Sequence, residues 1–492
     1  MALDNLRAFV GAIDAAGDLR RVAHPVSVDK EITEIADRCM KSAGGGPALL
    51  FERPTLLQGR ASRYPVAVNL FGSEKRMALA LGVPCLDEIG GRIATLLNVK
   101  VPDTLLGKLA MLPQLAEVAK FPPKAIGGRA PAQEIVVRDR DVDLSQFPIP
   151  VCWPEDGGPY ITLPGVITRD PKTGVRNVGM YRIQVIAPNE LAMHWQRHKV
   201  GAAHWREMAA RGETMPVAIA LGGDPASIYA ASAPLPPSID EFLFAGFLRK
   251  EPVRLAKAIT CDLEVPAEAE LVLEGYVDPR EELVLEGPFG DHTGFYSLAD
   301  YYPKVHVTAV TMRPEPIWPH TIVGRPPMED YWLGHATERI FLPLLKLTLP
   351  EIVDLHMPPE GIFHNLVFVS IDKQYPGQAY KVMNGLWGQG LMSLAKVIVV
   401  LDKDVSVRDP KEAWWVALNH IDPERDVRFS MGPIDVLDHS SRGFTYGSKM
   451  GIDATRKWKE EGFTREWPGK IVMDEKTKLR VDAMWRELGI EL

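Results

Sequence analysis

The segment Glu286-Gly287-Pro288-Phe289-Gly290-Asp291-His292-Thr293-Gly294 sets two carboxylates and an imidazole among residues that fix or free the backbone. Glycine allows positive φ and close approach, and proline locks one φ, so we expect a rigid, shaped loop. Glu286 and Asp291 would then point into one pocket. Because two carboxylates in one site cannot both ionise cheaply, we expect a raised pKa for one of them, which would make it a proton donor near neutral pH. The alternative is a Gly/Pro turn between two strands, with solvated acids at its tip.

Short β-type runs separated by turns surround this segment. They occupy residues 134–138, 165–168, 179–186, 217–221, 271–276 and 305–311. Mostly antiparallel strands that close into a barrel or split barrel explain this pattern better than a parallel sheet does. We therefore expect the segment to belong to a central split β-barrel domain that spans residues 126–325.

Helical and strand-like patterns alternate on either side of this central region. Residues 1–125 open with a helical repeat and a C-cap glycine, Gly17, and are predicted to form an N-terminal α/β domain. Residues 326–465 return to alternation and predict a C-terminal α/β domain, in which Asp409-Pro410 opens a helix with Asp409 as its N-cap. Residues 466–492 are predicted to form a tail helix, capped by Asp474, that contacts another subunit. Its apolar side chains fall on one stripe: Val481, Met484, Trp485 and Leu488. The expected fold class is α/β (α+β).

Composition narrows the class of protein. The 492-residue chain has a formal net charge of -8, and no basic run is dense enough to favour a nucleic-acid partner. Its four cysteines lie far apart without a CxxC pair, so neither a zinc ribbon nor a disulfide framework is indicated. The N-terminus lacks a basic stretch followed by an apolar core, and no apolar run approaches the ~18 residues of a membrane span. We expect a cytoplasmic protein with reduced thiols.

An arginine lies in the strand-like run around residues 176–184. In a strand, Met180, Arg182 and Gln184 would share one face, and an arginine on a buried face needs an anionic partner. Arg182 would therefore suit a carboxylate, which it can bind through two parallel hydrogen bonds. The alternative is a structural ion pair.

Two further patterns suit ligand binding without specifying it. His194 and His198 lie four residues apart among cations, which suits a phosphate or metal site but is also common on protein surfaces. No HExxH accompanies them. Ser238-Ile239-Asp240-Glu241 has the spacing of a capping box, in which the Glu241 side chain would accept a hydrogen bond from the backbone N–H of Ser238. From these residues alone, the two histidines fit either a ligand site or a protein surface, and Glu241 fits either a capping role or a metal role.

The order and spacing of these stretches resemble the UbiD family of reversible (de)carboxylases. The resemblance rests on Asn177-Val178-Gly179-Met180-Tyr181-Arg182, on Trp195-Gln196-Arg197-His198, on Glu241 and its setting, and on the segment 286–294. It continues through later motifs: Gly324-Arg325-Pro326-Pro327, Glu351-Ile352-Val353-Asp354, Pro358-Pro359-Glu360-Gly361 and Gly447-Ser448-Lys449-Met450-Gly451. These later motifs look most like the branch that acts on 4-hydroxy-3-polyprenylbenzoate in ubiquinone synthesis.

The resemblance implies a cofactor, because side chains supply no electron sink for the carbanion left when CO2 leaves an sp2 carbon. In this family the sink is prenylated FMN, bound with a divalent metal, usually Mn2+, and commonly with K+. By position, Asn177, His198 and Glu241 would be the metal ligands, a set that suits Mn2+, and this implication replaces the capping role of Glu241. Further positions at or beside the cofactor are Met180, Tyr181, Arg182, His194, Trp195, Gln196, Arg197 and Lys199.

Arg182, Glu286 and Asp291 would form the family's acid–arginine–acid constellation. The resemblance implies that Arg182 orients the substrate carboxylate, that Glu286 holds Arg182, and that Asp291 protonates the carbon after CO2 leaves. It also implies an aromatic acid as substrate, a flavin prenyltransferase as cofactor supplier, and a homodimer or dimer-based homohexamer. A polyprenylated substrate would add a peripheral membrane contact.

Two other functions would use the same residues. A metal-dependent hydrolase would hold an activated water with Asn177, His198 and Glu241 and would use Asp291 as its base. It would work without a flavin. A non-catalytic assembly subunit would use these residues as turn, cap and ion pair, and Asp291→Asn would then cost no activity.

Overall fold

The computed structural model describes residues 2–97, 121–197 and 199–490. The first helix begins after Asn5, whose side chain accepts a hydrogen bond from Ala8 N at 2.9 Å, as an N-cap does. The N-terminal helices are α1 Leu6–Ala15, α2 Glu31–Met40, α3 Glu74–Ala80 and α4 Asp87–Leu97. The strands between them are β1 Leu19–Val22, β2 Val26–Ser27, β3 Ala48–Phe51, β4 Pro54–Thr55 and β5 Val66–Val68.

The central part is built mainly of antiparallel strands. These are β6 Lys124–Ala125, β7 Ile135–Arg138, β8 Tyr160–Ile161, β9 Pro164–Arg169, β10 Arg176–Gly179, β11 Ile183–Ala187, β12 Glu190–Met193, β13 Met215–Gly222, β14 Arg254–Lys257, β15 Glu264–Pro266, β16 Ala269–Val277, β17 Val284–Glu286, β18 Phe289–Gly290, β19 Tyr296–Ser297, β20 Asp300–Tyr302, β21 Lys304–Met312 and β22 Trp318–His320. The helices among them are α5 Val200–Arg211, α6 Pro225–Ala230 and α7 Glu241–Arg249. The large sheet has the order β10-β9-β13-β16-β21-β12-β11-β8, and β7 also pairs with β21.

The large sheet must curl, because two strands that are consecutive in the chain lie near its opposite ends. In a flat sheet β10 and β11 would be six strand spacings apart, about 29 Å. The backbone from Gly179 to Ile183 reaches at most about 14 Å. The sheet therefore closes toward itself, and residues 180–182 cross the remaining gap. This confirms the predicted split barrel.

The single strand predicted over residues 179–186 is wrong, because the chain leaves the sheet between β10 and β11. The chain turns tightly where it leaves. A Cβ built on Gly179 would lie 2.3 Å from the hydroxyl oxygen of Tyr181, so a larger residue here would force the buried Tyr181 side chain to move. Arg182 therefore lies on the crossing segment and not in the middle of a strand.

The N-terminal and central parts share a sheet. Its order is β1-β3-β5-β22, and β5 pairs in parallel with β22, which lies more than two hundred residues later in the chain. One continuous apolar core also joins them: α1 packs Phe9 and Ile13 into the same cluster as Phe242 of α7. The barrel and the N-terminal layer are thus held together by backbone pairing as well as by side-chain packing.

The C-terminal part is a separate α/β layer with its own apolar clusters. Its elements are α8 Glu329–Thr348, β23 Ile352–His356, β24 Leu366–Ile371, α9 Gln378–Trp387, β25 Val397–Asp402, α10 Pro410–His420, α11 Pro423–Asp426, β26 Val427–Pro433 and β27 Tyr446–Asp453. The sheet order is β23-β24-β25-β27-β26, with parallel pairing at its centre. Asp409 caps α10 as predicted, since its carboxylate accepts from Lys411 N at 2.9 Å. These features confirm the mixed α/β fold class.

The chain ends with α12, Glu475–Met484. Asp474 is its N-cap as predicted, and the carboxylate accepts from Thr477 N at 2.9 Å. The helix stops at Met484, so Trp485 and Leu488 of the predicted stripe lie beyond it, and no residue of the helix is buried. The subunit contact stays a prediction. None of the helices in the described parts of the chain is both long and apolar enough to cross a membrane.

Candidate functional site

The loop that follows β17 is held from several sides. The backbone N–H of Gly290 donates to Asp156 Oδ1 at 2.7 Å, and that of Gly287 donates to Gln184 Oε1 at 2.9 Å. Gly287 has φ of +99°, which favours glycine. Glu286 is fully buried and Asp291 is 7% exposed. The rigid loop is therefore confirmed, and the alternative of solvated acids at a turn is wrong.

Arg182 lies between the two buried carboxylates. Its Nε and Nη2 donate to the two oxygens of Glu286 at 2.8 and 3.0 Å, and Nη1 donates to Asp291 Oδ2. Nη2 also donates to Ser297 Oγ at 3.0 Å, and the guanidinium carbon lies 4.9 Å from the centre of the Phe289 ring. The arginine is thus fixed from behind by a fork-to-fork pair and touches Asp291 with one remaining nitrogen.

The electrostatics of this group differ from the expectation. Burial disfavours the ionised form of Glu286, but His194 and Arg182 outweigh burial and lower its pKa to about 2. Burial also opposes ionisation of Asp291, yet the nearby guanidinium and His292 bring its pKa below the usual range. The expectation of one raised pKa in this pair is wrong, because Arg182 compensates both charges. Proton donation by Asp291 requires a ligand that takes up part of the Arg182 charge.

Residues from the C-terminal part approach the same loop. His292 Nδ1 lies 2.9 Å from Asp291 Oδ1, and although burial lowers the pKa of His292, Asp291 outweighs it and raises that pKa. The His292 ring centre lies 5.5 Å from that of Phe363 and 6.0 Å from that of His364. Asp330, whose charge acts on His292, has a pKa raised to about 7 by burial. His292 and Asp330, which both have raised pKa values, therefore border the site.

Sequence reasoning assigned no role to Asp330, Phe363 or His364. Asp330 lies in the first turn of α8, and nothing in the local pattern distinguishes it from a helix-terminal acid. The one nearby signal is Pro358-Pro359-Glu360-Gly361, which ends two residues before Phe363 and marks a rigid turn.

The predicted metal ligands lie on two elements that meet. Asn177 is on β10, and Glu241 is the first residue of α7. Both are buried. The Glu241 carboxylate accepts from the backbone N–H of Val178 at 2.7 Å, while Asp240 caps α7. The capping box at Ser238 is therefore wrong. His198 lies outside the described residues.

The residues present fit a metal and a cofactor phosphate. Burial raises the pKa of Glu241 to about 7, which is expected of a carboxylate set where a cation would compensate it. Asn177 Nδ2 and His194 Nε2 are buried without a hydrogen-bond partner in the part of the chain that the structure describes. Buried polar atoms rarely remain unpaired in the absence of a ligand. These unpaired buried atoms therefore support a bound group between β10 and the residues after β12.

The other predicted cofactor positions differ in exposure. Tyr181 and Trp195 are buried and meet edge to face, with ring centres 6.5 Å apart. Met180 and Gln196 are half-buried, and Arg197 is exposed. Burial lowers the pKa of Lys199, which precedes α5. These positions thus lie on two segments, 180–182 between β10 and β11 and 194–199 after β12.

Comparison with family models covers most of the chain. The 3-octaprenyl-4-hydroxybenzoate carboxy-lyase models, named UbiD, match as an N-terminal domain at residues 10–93, a Rift-related domain at 124–326 and a C-terminal domain at 331–454. An uncharacterized protein of Aquifex aeolicus is 53% identical over 487 residues, which is 99% of each chain.

Solved structures share the whole architecture. The UbiD-class enzyme HmfF from Pelotomaculum thermopropionicum, in complex with FMN, aligns with a TM-score of 0.81 at 29% identity, over 97% of this chain and 99% of that one. Vanillic acid decarboxylase of Sedimentibacter hydroxybenzoicus in its closed form aligns with a TM-score of 0.82 at 27% identity, over 99% of each chain. From the buried acid–arginine–acid group and these matches together, we conclude that the chain belongs to the UbiD family of carboxy-lyases.

Proposed function

We propose that the chain is a prenylated-FMN-dependent decarboxylase of a hydroxyaromatic acid, either 4-hydroxy-3-polyprenylbenzoate or a related acid. The observation that carries the proposal is the buried Arg182 guanidinium, which Glu286 holds with two hydrogen bonds and Asp291 touches with one. A substrate carboxylate can compete for the Asp291 side of the guanidinium without disturbing the Glu286 side. Arg182 would then bind the substrate carboxylate, and Asp291 would lie close enough to protonate the carbon that loses CO2.

Binding of the substrate carboxylate would change the state of Asp291. Arg182 would share its charge with the new anion, so less of that charge would offset the burial of Asp291, and the Asp291 pKa would rise. His292, 2.9 Å away, is placed to supply a proton to Asp291 Oδ1. When the bond between the ring carbon and the carboxylate breaks, CO2 leaves and Asp291 gives its proton to that carbon. Carboxylation would run through the same positions in reverse.

Asn177 and Glu241, with His198, would hold a divalent metal against the cofactor phosphate. An oxygen and nitrogen donor set of this kind suits Mn2+, and K+ is expected to accompany it. When bound, prenylated FMN would supply the electron sink that amino-acid side chains lack. The structural neighbour HmfF, 29% identical to this chain, is seen in complex with FMN. An evolved dimeric form of HmfF, 28% identical, is seen in complex with prFMN. Both structures support the proposed cofactor.

The test is to co-express the full chain with a flavin prenyltransferase and measure intact mass, flavin spectrum and metal content. We expect a flavin of increased mass and Mn2+ in the wild type, and the loss of both in Glu241→Ala. Glu213→Ala, which changes an exposed glutamate after α5, is the matched control and should keep both. A full cofactor load in Glu241→Ala would remove the assigned site. Turnover by protein that contains no flavin would instead favour a hydrolase.

A further inference from the structure

A buried group of two histidines and a glutamate lies in the C-terminal part. His335 and Glu338 are three residues apart on the inner face of α8, and His356 is the last residue of β23. Their exposed fractions are 9%, 4% and 3%. In the described residues, this is the one group of three His, Cys, Asp or Glu side chains whose ligand atoms lie within 4.8 Å of one another. It shares no residue with the site proposed at Asn177 and Glu241.

Both imidazoles approach the same carboxylate oxygen. His335 Nδ1 lies 2.8 Å and His356 Nδ1 lies 2.9 Å from Glu338 Oε1. The second carboxylate oxygen is occupied, because it accepts from the backbone N–H of Met357 at 2.6 Å. This backbone bond fixes the carboxylate so that Oε1 faces the two rings, as outer-sphere hydrogen bonds orient metal ligands.

The geometry at His335 is not that of a hydrogen bond. Its Nδ1 is buried and, despite the short distance to Oε1, has no hydrogen-bond partner. The two ring planes of His335 and His356 are nearly perpendicular, at 83°, with centres 5.9 Å apart. When a nitrogen lies close to an oxygen but does not point at it, this arrangement is expected if both atoms point at a shared metal ion. The structure therefore contains a buried imidazole nitrogen beside Glu338 Oε1 that has no hydrogen-bond partner.

The neighbouring Arg339 does not donate a hydrogen bond to Glu338 Oε1, the carboxylate oxygen that faces the two imidazoles. Arg339 Nε lies 3.3 Å from Glu338 Oε1 but also makes no hydrogen bond. Its guanidinium donates instead to Asp354 Oδ1 at 2.6 Å and to the carbonyl of Leu355. Glu338 Oε1 therefore receives no hydrogen bond from Arg339, and its imidazole partner is His356 Nδ1 at 2.9 Å.

The charged groups beside this cluster pair with one another. Asp354 and Asp87 form ion pairs with Arg339 and Arg408. The buried Glu338 carboxylate is compensated by Arg339, whose Nε lies 3.3 Å from Oε1, and by the two imidazoles. The case for a bound ion therefore rests on the convergence of the three side chains and on the unpaired His335 Nδ1.

We propose that His335, Glu338 and His356 form a second metal site, which binds Zn2+ or a similar borderline divalent cation and joins α8 to β23. Two imidazoles and one carboxylate select such cations over Mg2+ or Ca2+, which prefer all-oxygen sets. Tetrahedral zinc places its ligand atoms about 3.3 Å apart, so the three side chains would move apart by about 0.5 Å on binding. The ion has no redox role and acts as a cross-link between the helix and the strand.

The test uses Co2+ as a spectroscopic probe and the full chain carrying Glu241→Gln, which removes the carboxylate of the other proposed site. After dialysis against a chelator, we expect uptake of one equivalent of Co2+ with the visible absorption bands of a tetrahedral site. His335→Gln in the same background should weaken this uptake at least tenfold. His306→Gln is the matched control, because it removes an imidazole that pairs with Glu281 at 2.8 Å outside any such group. It should leave the uptake unchanged.

Two results would overturn the proposal. One is the absence of Co2+ uptake by the Glu241→Gln protein, and the other is equal uptake when His335→Gln is added. X-ray absorption at the zinc edge of the Zn2+-loaded Glu241→Gln protein needs no histidine variant, so it decides the matter even if His335→Gln fails to fold. Two imidazole ligands with oxygen are expected, whereas sulfur or an all-oxygen shell would contradict the site.

Discussion

Replacing Asp291 with asparagine separates substrate binding from proton transfer. The amide keeps the size of the carboxylate and removes the group that titrates. Arg182 keeps its two hydrogen bonds to Glu286 and its bond to Ser297 Oγ at 3.0 Å, so the guanidinium stays in place. The metal and cofactor positions on β10 and α7 are not touched. We therefore expect Asp291→Asn to be a folded protein that retains its flavin.

The size of the effect follows from what is lost. One hydrogen bond to Arg182 changes character, and since such a bond is worth about 1 kcal/mol net, KM should change by no more than about fivefold. Loss of a general acid costs ~10²–10⁴-fold in turnover. The expected signature is thus a small change in KM together with a large fall in kcat.

The assay follows CO2 release and, separately, exchange of the product ring hydrogen for solvent deuterium. The second measurement reports proton transfer at the carbon without net decarboxylation. Asp300→Asn is the matched control, because it makes the same acid-to-amide change on β20, where Asp300 is exposed and lies opposite Glu286 in the strand register. It should stay within twofold of the wild type. Deuterium exchange at wild-type rate in Asp291→Asn would refute the role of Asp291, and Glu286 would be tested next.

Two further outcomes are expected. The folded pKa of His292 is raised by its pairing with Asp291, so the stability from this pair is fully present below the unfolded pKa of about 6.5 and is lost as pH rises through the folded value. The difference in thermal midpoint between wild type and His292→Gln should therefore shrink from pH 6 to alkaline pH, and a constant difference would contradict the pairing. Removal of residues 474–492, which include no buried side chain in α12, should lower the oligomeric mass in light scattering. An unchanged mass with a folded protein would show that the tail packs on its own subunit.

The sequence predicted the fold where local patterns decide it. The caps at Asp409 and Asp474 and the antiparallel strands such as β13 and β16 are set by short-range periodicity, and they lie where predicted. The strand across residues 179–186 failed because barrel closure, which is a long-range constraint, takes residues 180–182 out of the sheet. A period-two pattern contains no information about where a sheet curls.

In the candidate site too, the sequence predicted what local patterns decide and failed where long-range contacts decide. Glu286 and Asp291 were predicted to share a pocket, because they lie on one short rigid loop. Their pKa directions were predicted wrongly, because the compensating Arg182 lies more than a hundred residues away and its position depends on the fold. Glu241 fitted a capping spacing, and only the approach of Val178 N from β10 shows that its carboxylate is used elsewhere.

The connection that closes the barrel also positions Arg182. The three residues that cross from β10 to β11 end in Arg182, and the next residues on β11 include Gln184, which binds the backbone of Gly287. The strand that closes the barrel therefore holds both the arginine and the loop that carries its two acids. Asn177 lies on β10, just before the crossing. In the proposed function, this one short connection would therefore link Asn177, a proposed metal ligand, to Arg182, which would bind the substrate carboxylate.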